Sequence, residues 1–229
     1  MMKPVLTHKF NVDIKSAMAL QSELKSRIEE KVLDLRRVRL IAGADASYSK
    51  GEERMFAAVA VFSFPDLELL EERTCSLRIN FPYVPGLLAF REAPALIRAF
   101  EKVRRKPDVV LFDGHGISHP RGFGIASHMG VLLGVPSIGV AKSVLVGEWR
   151  MPAEAKGSVT PIKYDGKIVG IALRTRSGKK PIFVSVGNLI NLESAVKIVL
   201  ACCTRYRLPE PIRATHGLSN EARRRASSG

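Results

Sequence analysis

The run Val109-Val110-Leu111-Phe112 is apolar at every position and closes on Asp113-Gly114. A strand without polar alternation is covered on both faces, which confines the chain to a layered α/β architecture with helices on either side of a sheet. The rest of the sequence supplies the other parts. Residues 40–48, LIAGADASY, and 56–64 flank a polar turn at 49–54, where the turn chemistry is Ser49-Lys50-Gly51, and read as an antiparallel hairpin. A third strand is expected between residues 67 and 79, making a meander. Pro136 opens another strand, largely apolar and expected to be buried, that runs to Ala141, and further strands are expected over 168–174 and 182–184.

Helical spacing appears between and around these strands. Ala17, Leu20, Leu24, Ile28, Val32 and Leu35 recur on one stripe, so a single long amphipathic helix is expected over 13–37 with Asp13 as N-cap. Helices are also expected over 87–103, with a kink at Pro94, over 126–133 and over 192–203. The segment 81–86 has prolines on both sides of Tyr83 and is not regular structure. This order, a meander followed by alternating helices and strands, matches a ribonuclease H-like mixed sheet flanked by helices on both faces. One domain over 1–220 is expected, followed by a frayed basic tail at 221–229.

Carboxylates sit where such a fold can use them. Asp45 lies mid-strand and shares its face with the small residues Gly43 and Ser47. Asp113 ends the apolar strand, and ligands of open α/β sheets collect at the carboxyl ends of strands. If the meander and the apolar strand are neighbours, both acids fall on one patch. Glu92 falls on the apolar stripe of Leu88 and Leu96. Buried carboxylates are costly unless a metal or a partner compensates them. Hard oxygen ligands without a Cys or His cluster select Mg²⁺, with Mn²⁺ able to substitute. Lys142 directly follows the second apolar strand and can aim a fixed charge at the same place. His119 and His216 are candidates for phosphate contact, metal ligation or proton transfer.

The 36 Lys and Arg against 22 Asp and Glu give a net charge of +14, which points to a nucleic-acid partner. An aromatic content of 7 % lacks the enrichment of sugar-binding platforms and counts against a carboxylate glycosidase. The three cysteines, Cys75, Cys202 and Cys203, form no disulfide framework, and there is no apolar leader or spanning segment. A cytoplasmic protein with no membrane partner is expected, and a monomer.

The segments FPYVPGLLAFRE, FDGHGISHPRGFGIASH and IGVAKS closely resemble the signature segments of endonuclease V, the deoxyinosine-directed repair nuclease. The resemblance runs from about residue 12 to 216. It implies a ribonuclease H-like fold and a Mg²⁺- or Mn²⁺-dependent nick at the second phosphodiester bond 3′ to a deaminated purine, leaving 3′-hydroxyl and 5′-phosphate ends. It makes Asp45 and Asp113 metal ligands with Glu92 in the same acidic site, Lys142 a neutraliser of phosphate charge, and His216 the late active-site histidine. Pro82, Tyr83, Val84 and Pro85 become the wedge that fills the gap of an extruded base. Gly86, Leu88, Gly114, Gly124 and Ile125 become the lining of the base pocket. Arg91, Arg121 and His119 are assigned to the nucleic-acid track, and His115 stands where family members vary. The partner is DNA containing deoxyinosine. Inosine-containing RNA is the alternative, and a non-catalytic binder of distorted strands is the reading from another class.

Overall fold

The computed structural model describes residues 1–48, 51 and 54–227. Its sheet has eight strands in three groups: β1 (Leu40–Tyr48), β2 (Arg54–Ser63) and β3 (Leu69–Arg78); β4 (Val109–Asp113) and β5 (Ser137–Ala141); and β6 (Val159–Tyr164), β7 (Lys167–Leu173) and β8 (Ile182–Asn188). The spatial order is β3-β2-β1-β4-β5-β8-β7-β6. β1 to β3 form the antiparallel meander, β4 lies parallel to β1, and β5 lies parallel to β4. β8 returns antiparallel to β5 and β7 antiparallel to β8. Strands β1, β4, β5 and β7 therefore end on one common edge.

Two apolar layers cover the sheet. On one face α2 (Leu88–Phe100) and α3 (Ile125–Leu133) bury Ala42, Ala44, Val110 and Phe112 against Ala93, Leu96 and Met129. On the other, α4 (Leu192–Ala201) and α5 (Glu210–Ser227) cover Ile41, Val109, Leu111 and Val184 with Ile198 and Ile212. Alternation along β1 assigns Gly43 and Asp45 to the α5 face. Gly43 is needed there, because a Cβ would stand 2.1 Å from the Pro211 carbonyl oxygen.

Several expectations change. The long helix stops early: α1 covers Ile14–Lys25, capped by Asp13, which accepts from the Ser16 amide at 2.9 Å. Residues 26–34 instead cross the sheet edge as an irregular segment, where Glu29 exchanges hydrogen bonds with Asn188 and Leu189. Of the stripe residues beyond α1, Leu35 packs on the α4 layer beside Leu33, Ile28 packs near Leu24 and Phe123, and Val32 is exposed. β6 is a strand the sequence did not announce, since Pro161 interrupts it. The basic segment expected to fray continues α5 through Ser227, and Arg223 donates to the Tyr48 carbonyl. Ser49 and Lys50 of the expected turn, and Ser228 and Gly229 of the expected tail, lie outside the described residues. No helix among the described residues is long and apolar enough to cross a membrane.

Candidate active site

The common strand edge gathers the acids. β1 delivers Asp45 and β4 delivers Asp113, side by side because the two strands pair in parallel. α5 lies over them and lowers His216 onto Asp45, with Nδ1 3.1 Å from Oδ2. One ligand atom from each of Asp45, Asp113 and His216 lies within 4.8 Å of the others. Lys142, at the end of β5, holds Asp113 Oδ2 at 2.5 Å. Ser219, one turn beyond His216, donates to the same Asp45 oxygen at 3.3 Å.

Electrostatics place this edge under stress. Burial raises the Asp45 carboxyl above its ordinary range, and the neighbouring Asp113 adds to the rise. Glu92 on α2 is 9 % exposed and stands outside the three-atom cluster. Its carboxyl is pushed up by burial, then by the charges of Asp45 and Asp113. A cation relieves all three at once. The two carboxylates are hard oxygen donors suited to a divalent ion of the Mg²⁺ or Mn²⁺ type, and the His216 imidazole is a borderline donor within reach of the same position. The residues present fit such an ion.

Beside the acids, on the α2–α3 face, opens a cavity of about 190 Å³. Gly86, Leu88, Gly114, Gly124 and Ile125, all expected to line a base pocket, line it together with Tyr83 and His115. The starts of α2 and α3 supply main-chain amides that have no partner inside their helices. Gly124 has no room for a side chain: a Cβ would meet the His115 carbonyl oxygen at 2.3 Å. Burial lowers the His115 imidazole to about 4 despite Asp113 nearby, so it is neutral at pH 7.

Tyr83 projects from the Pro82–Pro85 loop and is 62 % exposed. The loop beneath it is fixed at three points. Arg91 donates to the Phe81 carbonyl at 2.8 Å, and Leu87 donates to Val84 at 2.9 Å. The Gly86 carbonyl accepts from Gln21 at 3.0 Å, His119 at 3.0 Å and Arg121 at 2.5 Å. Gly86 itself adopts φ +79°, open to glycine and strained for any other residue. His119, Arg121 and Arg91, expected on the nucleic-acid track, also hold this loop, a role the sequence did not announce. His119 accepts the Arg121 amide on Nδ1 at 3.2 Å, so Nε2 carries the proton, and burial lowers its imidazole to about 4. Arg91 also lies over the Tyr48 ring, 4.7 Å from its centroid. Gln21, Leu145 and Ser219 were not singled out. Ser219 was legible only to a reader who had made residues 216–219 helical.

Residues 22–217 match the Endonuclease V family. This chain belongs to that family. Endonuclease V of Roseiflexus castenholzii is 46 % identical over 97 % of this chain and 99 % of its own. The crystal structure of the Bacillus subtilis Endonuclease V superposes with a TM-score of 0.95 at 35 % identity, covering 99 % of each chain. The Ciona intestinalis Endonuclease V, in complex with a 23mer DNA containing an inosine followed by a ribo-adenosine, has a TM-score of 0.84 at 30 % identity and covers 93 % of this chain and 98 % of its own. The fold is accordingly ribonuclease H-like, and the chain is an endonuclease by family.

Proposed function

We propose that this protein is a divalent-metal-dependent endonuclease that extrudes deoxyinosine from DNA and hydrolyses the second phosphodiester bond on its 3′ side. The observation that carries this reading is the adjacency of two sites on one strand edge. A cluster of ion ligands stands beside a glycine-walled cavity whose rim holds an exposed tyrosine. A nuclease that takes its base out of the stack needs both within one or two nucleotides. The inosine-bearing strand bound by the Ciona relative supports the same substrate class.

The chain's own groups divide the work. Tyr83 occupies the gap left by the base, on a loop already ordered before encounter. Backbone amides at the starts of α2 and α3 read the base edge, and close-approach glycines admit it. Asp45 and Asp113 would hold a Mg²⁺ or Mn²⁺ ion, with Glu92 in the same field. That ion, when bound, neutralises phosphate charge and makes water more acidic. His216 donates its Nδ1–H to Asp45, which leaves Nε2 as the basic nitrogen toward solvent. Water attacks phosphorus, the bond to O3′ breaks, and the proton lost by water is balanced by one gained at O3′. The ends are then 3′-hydroxyl and 5′-phosphate. Lys142 is held against Asp113 Oδ2 and adds positive charge at the scissile phosphate.

An end-labelled oligonucleotide with one deoxyinosine tests this. Nicking at the second bond 3′ of the lesion, requiring Mg²⁺ and abolished by chelation, is expected. Cutting at that bond in chelator, or indifference to the lesion, overturns the proposal. The ribo-adenosine beside the inosine in the Ciona complex favours a second reading, in which a 2′-hydroxyl is accepted next to the lesion. Matched DNA and RNA strands rank the two.

A further inference from the structure

On the same strand edge, at the end of β7, a groove of about 540 Å³ opens on the α4–α5 side. Three cations from three separate segments face it: Lys156 from the loop before β6, Arg176 from the β7–β8 turn and Arg205 from the loop before α5. None of them is ion-paired with a carboxylate among the described residues. The acid closest in sequence to the third segment, Glu210, is already engaged, accepting from Thr204 at 2.9 Å and from Arg213 at 2.7 Å.

Charge runs are mostly solvated faces of one element, and this arrangement differs. The three segments are tied to one another across the groove. Thr175 donates to the Arg207 carbonyl at 2.6 Å, Ser177 accepts the Lys156 amide at 3.0 Å, and Arg176 donates to the Arg205 carbonyl at 2.8 Å. Gathering three like charges against fixed walls raises the energy of the folded chain unless a polyanion is there to meet them. Tyr206 adds a flat, 45 % exposed ring, stiffened by the Arg213 guanidinium 3.3 Å from its centroid. A cationic groove with an aromatic platform is the construction of single-strand binding surfaces.

Position fixes which part of a strand reaches it. The base cavity lies on the α2–α3 face, and the carboxylates of Asp45 and Asp113 lie on the α5 face. A strand that leaves its base in the cavity crosses the sheet edge at the acids and continues on the α4–α5 side. β7 stands three strands beyond β4, about 14 Å along that edge at the usual strand spacing. Arg213, three residues before His216 on α5, lies along the way.

We propose that this groove is a second nucleic-acid contact, holding the phosphodiester backbone of the cleaved strand on the 3′ side of the scissile bond. The assignment of a side rests on the endonuclease reading above. The groove itself does not.

The test is binding in chelator, followed by fluorescence anisotropy over a salt series, on inosine strands with a short or a long 3′ arm and on an inosine-free strand. Arg176→Ala/Arg205→Ala is compared with the parent protein. Arg205→Ala alone serves as the second variant, since its guanidinium makes no hydrogen bond or ion pair among the described residues. The double variant is expected to lose the affinity advantage of the long 3′ arm. Its salt dependence on long strands, inosine-free ones included, falls by about two phosphate contacts at roughly 0.7 per contact for single strands. Single-turnover nicking of the short-arm strand in Mg²⁺ stays within twofold. Equal weakening on short and long 3′ arms, dependence on the 5′ arm instead, or an unchanged salt slope overturns the proposal. If the parent protein does not nick inosine strands, the endonuclease reading fails, while the slope on inosine-free strands still decides whether the groove binds backbone.

Discussion

The two halves of the strand edge are built from opposite materials. The acid cluster is made of charges: Asp45, Asp113 and Glu92 raise one another's energy, held by Lys142, His216 and Ser219. The cavity beside it is made of glycines, apolar side chains and main-chain groups, and its two histidines are kept neutral by burial. One half stores electrostatic stress that a cation discharges. The other stores steric exactness, which only a substitution that adds volume disturbs. Sites under such stress trade stability for function. The two halves should therefore fail in different ways.

The largest effect is expected at the acids. Asp45→Asn should reduce nicking on the order of 10³-fold, from the several kcal/mol that a correctly held ion contributes at about 1.4 kcal/mol per decade. Thermal melting of the same variant in chelator should rise, by about 2–4 °C for each kcal/mol of repulsion removed. A drop in melting temperature would mean that the cluster is a structural ion-pair network and would erase the contrast.

Gly124→Ala probes the other half. The added methyl meets backbone rather than a flexible side chain, so the cavity wall shifts, and a displacement of about 1 Å costs on the order of 10² in rate. Manganese affinity, measured calorimetrically, should stay unchanged. If metal binding weakens in step, the halves are one unit.

Tyr83→Ala should lower the affinity for inosine strands by about tenfold or somewhat more, the lower part of the 1–3 kcal/mol range of base–aromatic stacking. An exposed ring on a fixed loop leaves melting unaffected. Loss of stability here would mark Tyr83 as a packing residue.

The smallest effect lies away from both halves, in the pair formed by His8 and His128, whose Nε2 atoms are 2.6 Å apart among Phe10, Phe90 and Phe123. Burial lowers the His128 imidazole from 6.5 to about 3, and the His8 imidazole is lowered as well. The unfolded chain therefore takes up these protons first. The stability contributed by His128 is whole above pH 6.5 and is lost as pH falls toward 3, at about 1.4 kcal/mol per pH unit. Melting between pH 7 and 5 should be flatter for His128→Phe than for the parent protein. Identical slopes would show that other groups govern the acid limb.

The contrast also explains what could be read in advance. β1 and β4 were legible because apolar runs flanked by turns have few alternatives, and their adjacency, a condition of the sequence reading, is met in the structure. That was enough to bring Asp45 and Asp113 together. The glycines and the tyrosine loop were legible through resemblance alone, since no periodicity marks a cavity. What stayed hidden depends on tertiary context. Residues 26–34 carry helical spacing, yet they form an irregular segment that packs Ile28 and Leu33 partly against the core and leaves Val32 exposed. α5 is rich in arginine and poor in apolar residues, so its helix is stabilised by packing on β1 and β2 that no local pattern displays. That Arg91 on α2, and His119 and Arg121 in the glycine-rich loop, also brace the tyrosine loop was hidden, because charged side chains at such places usually face solvent. Here carbonyls of the tyrosine loop draw Arg91 and Arg121 inward, and His119 with them.

That inward turn has a kinetic consequence. With the carbonyl oxygen of Gly86 saturated by Gln21, His119 and Arg121, the segment bearing Tyr83 has its conformation settled when the polypeptide folds, not when a substrate arrives. Recognition then resembles a rigid key probing a compliant lock. On the proposed function the duplex does the rearranging, and the weakness of the lesion's own base pair, rather than any closure of the enzyme, sets how often a collision becomes productive.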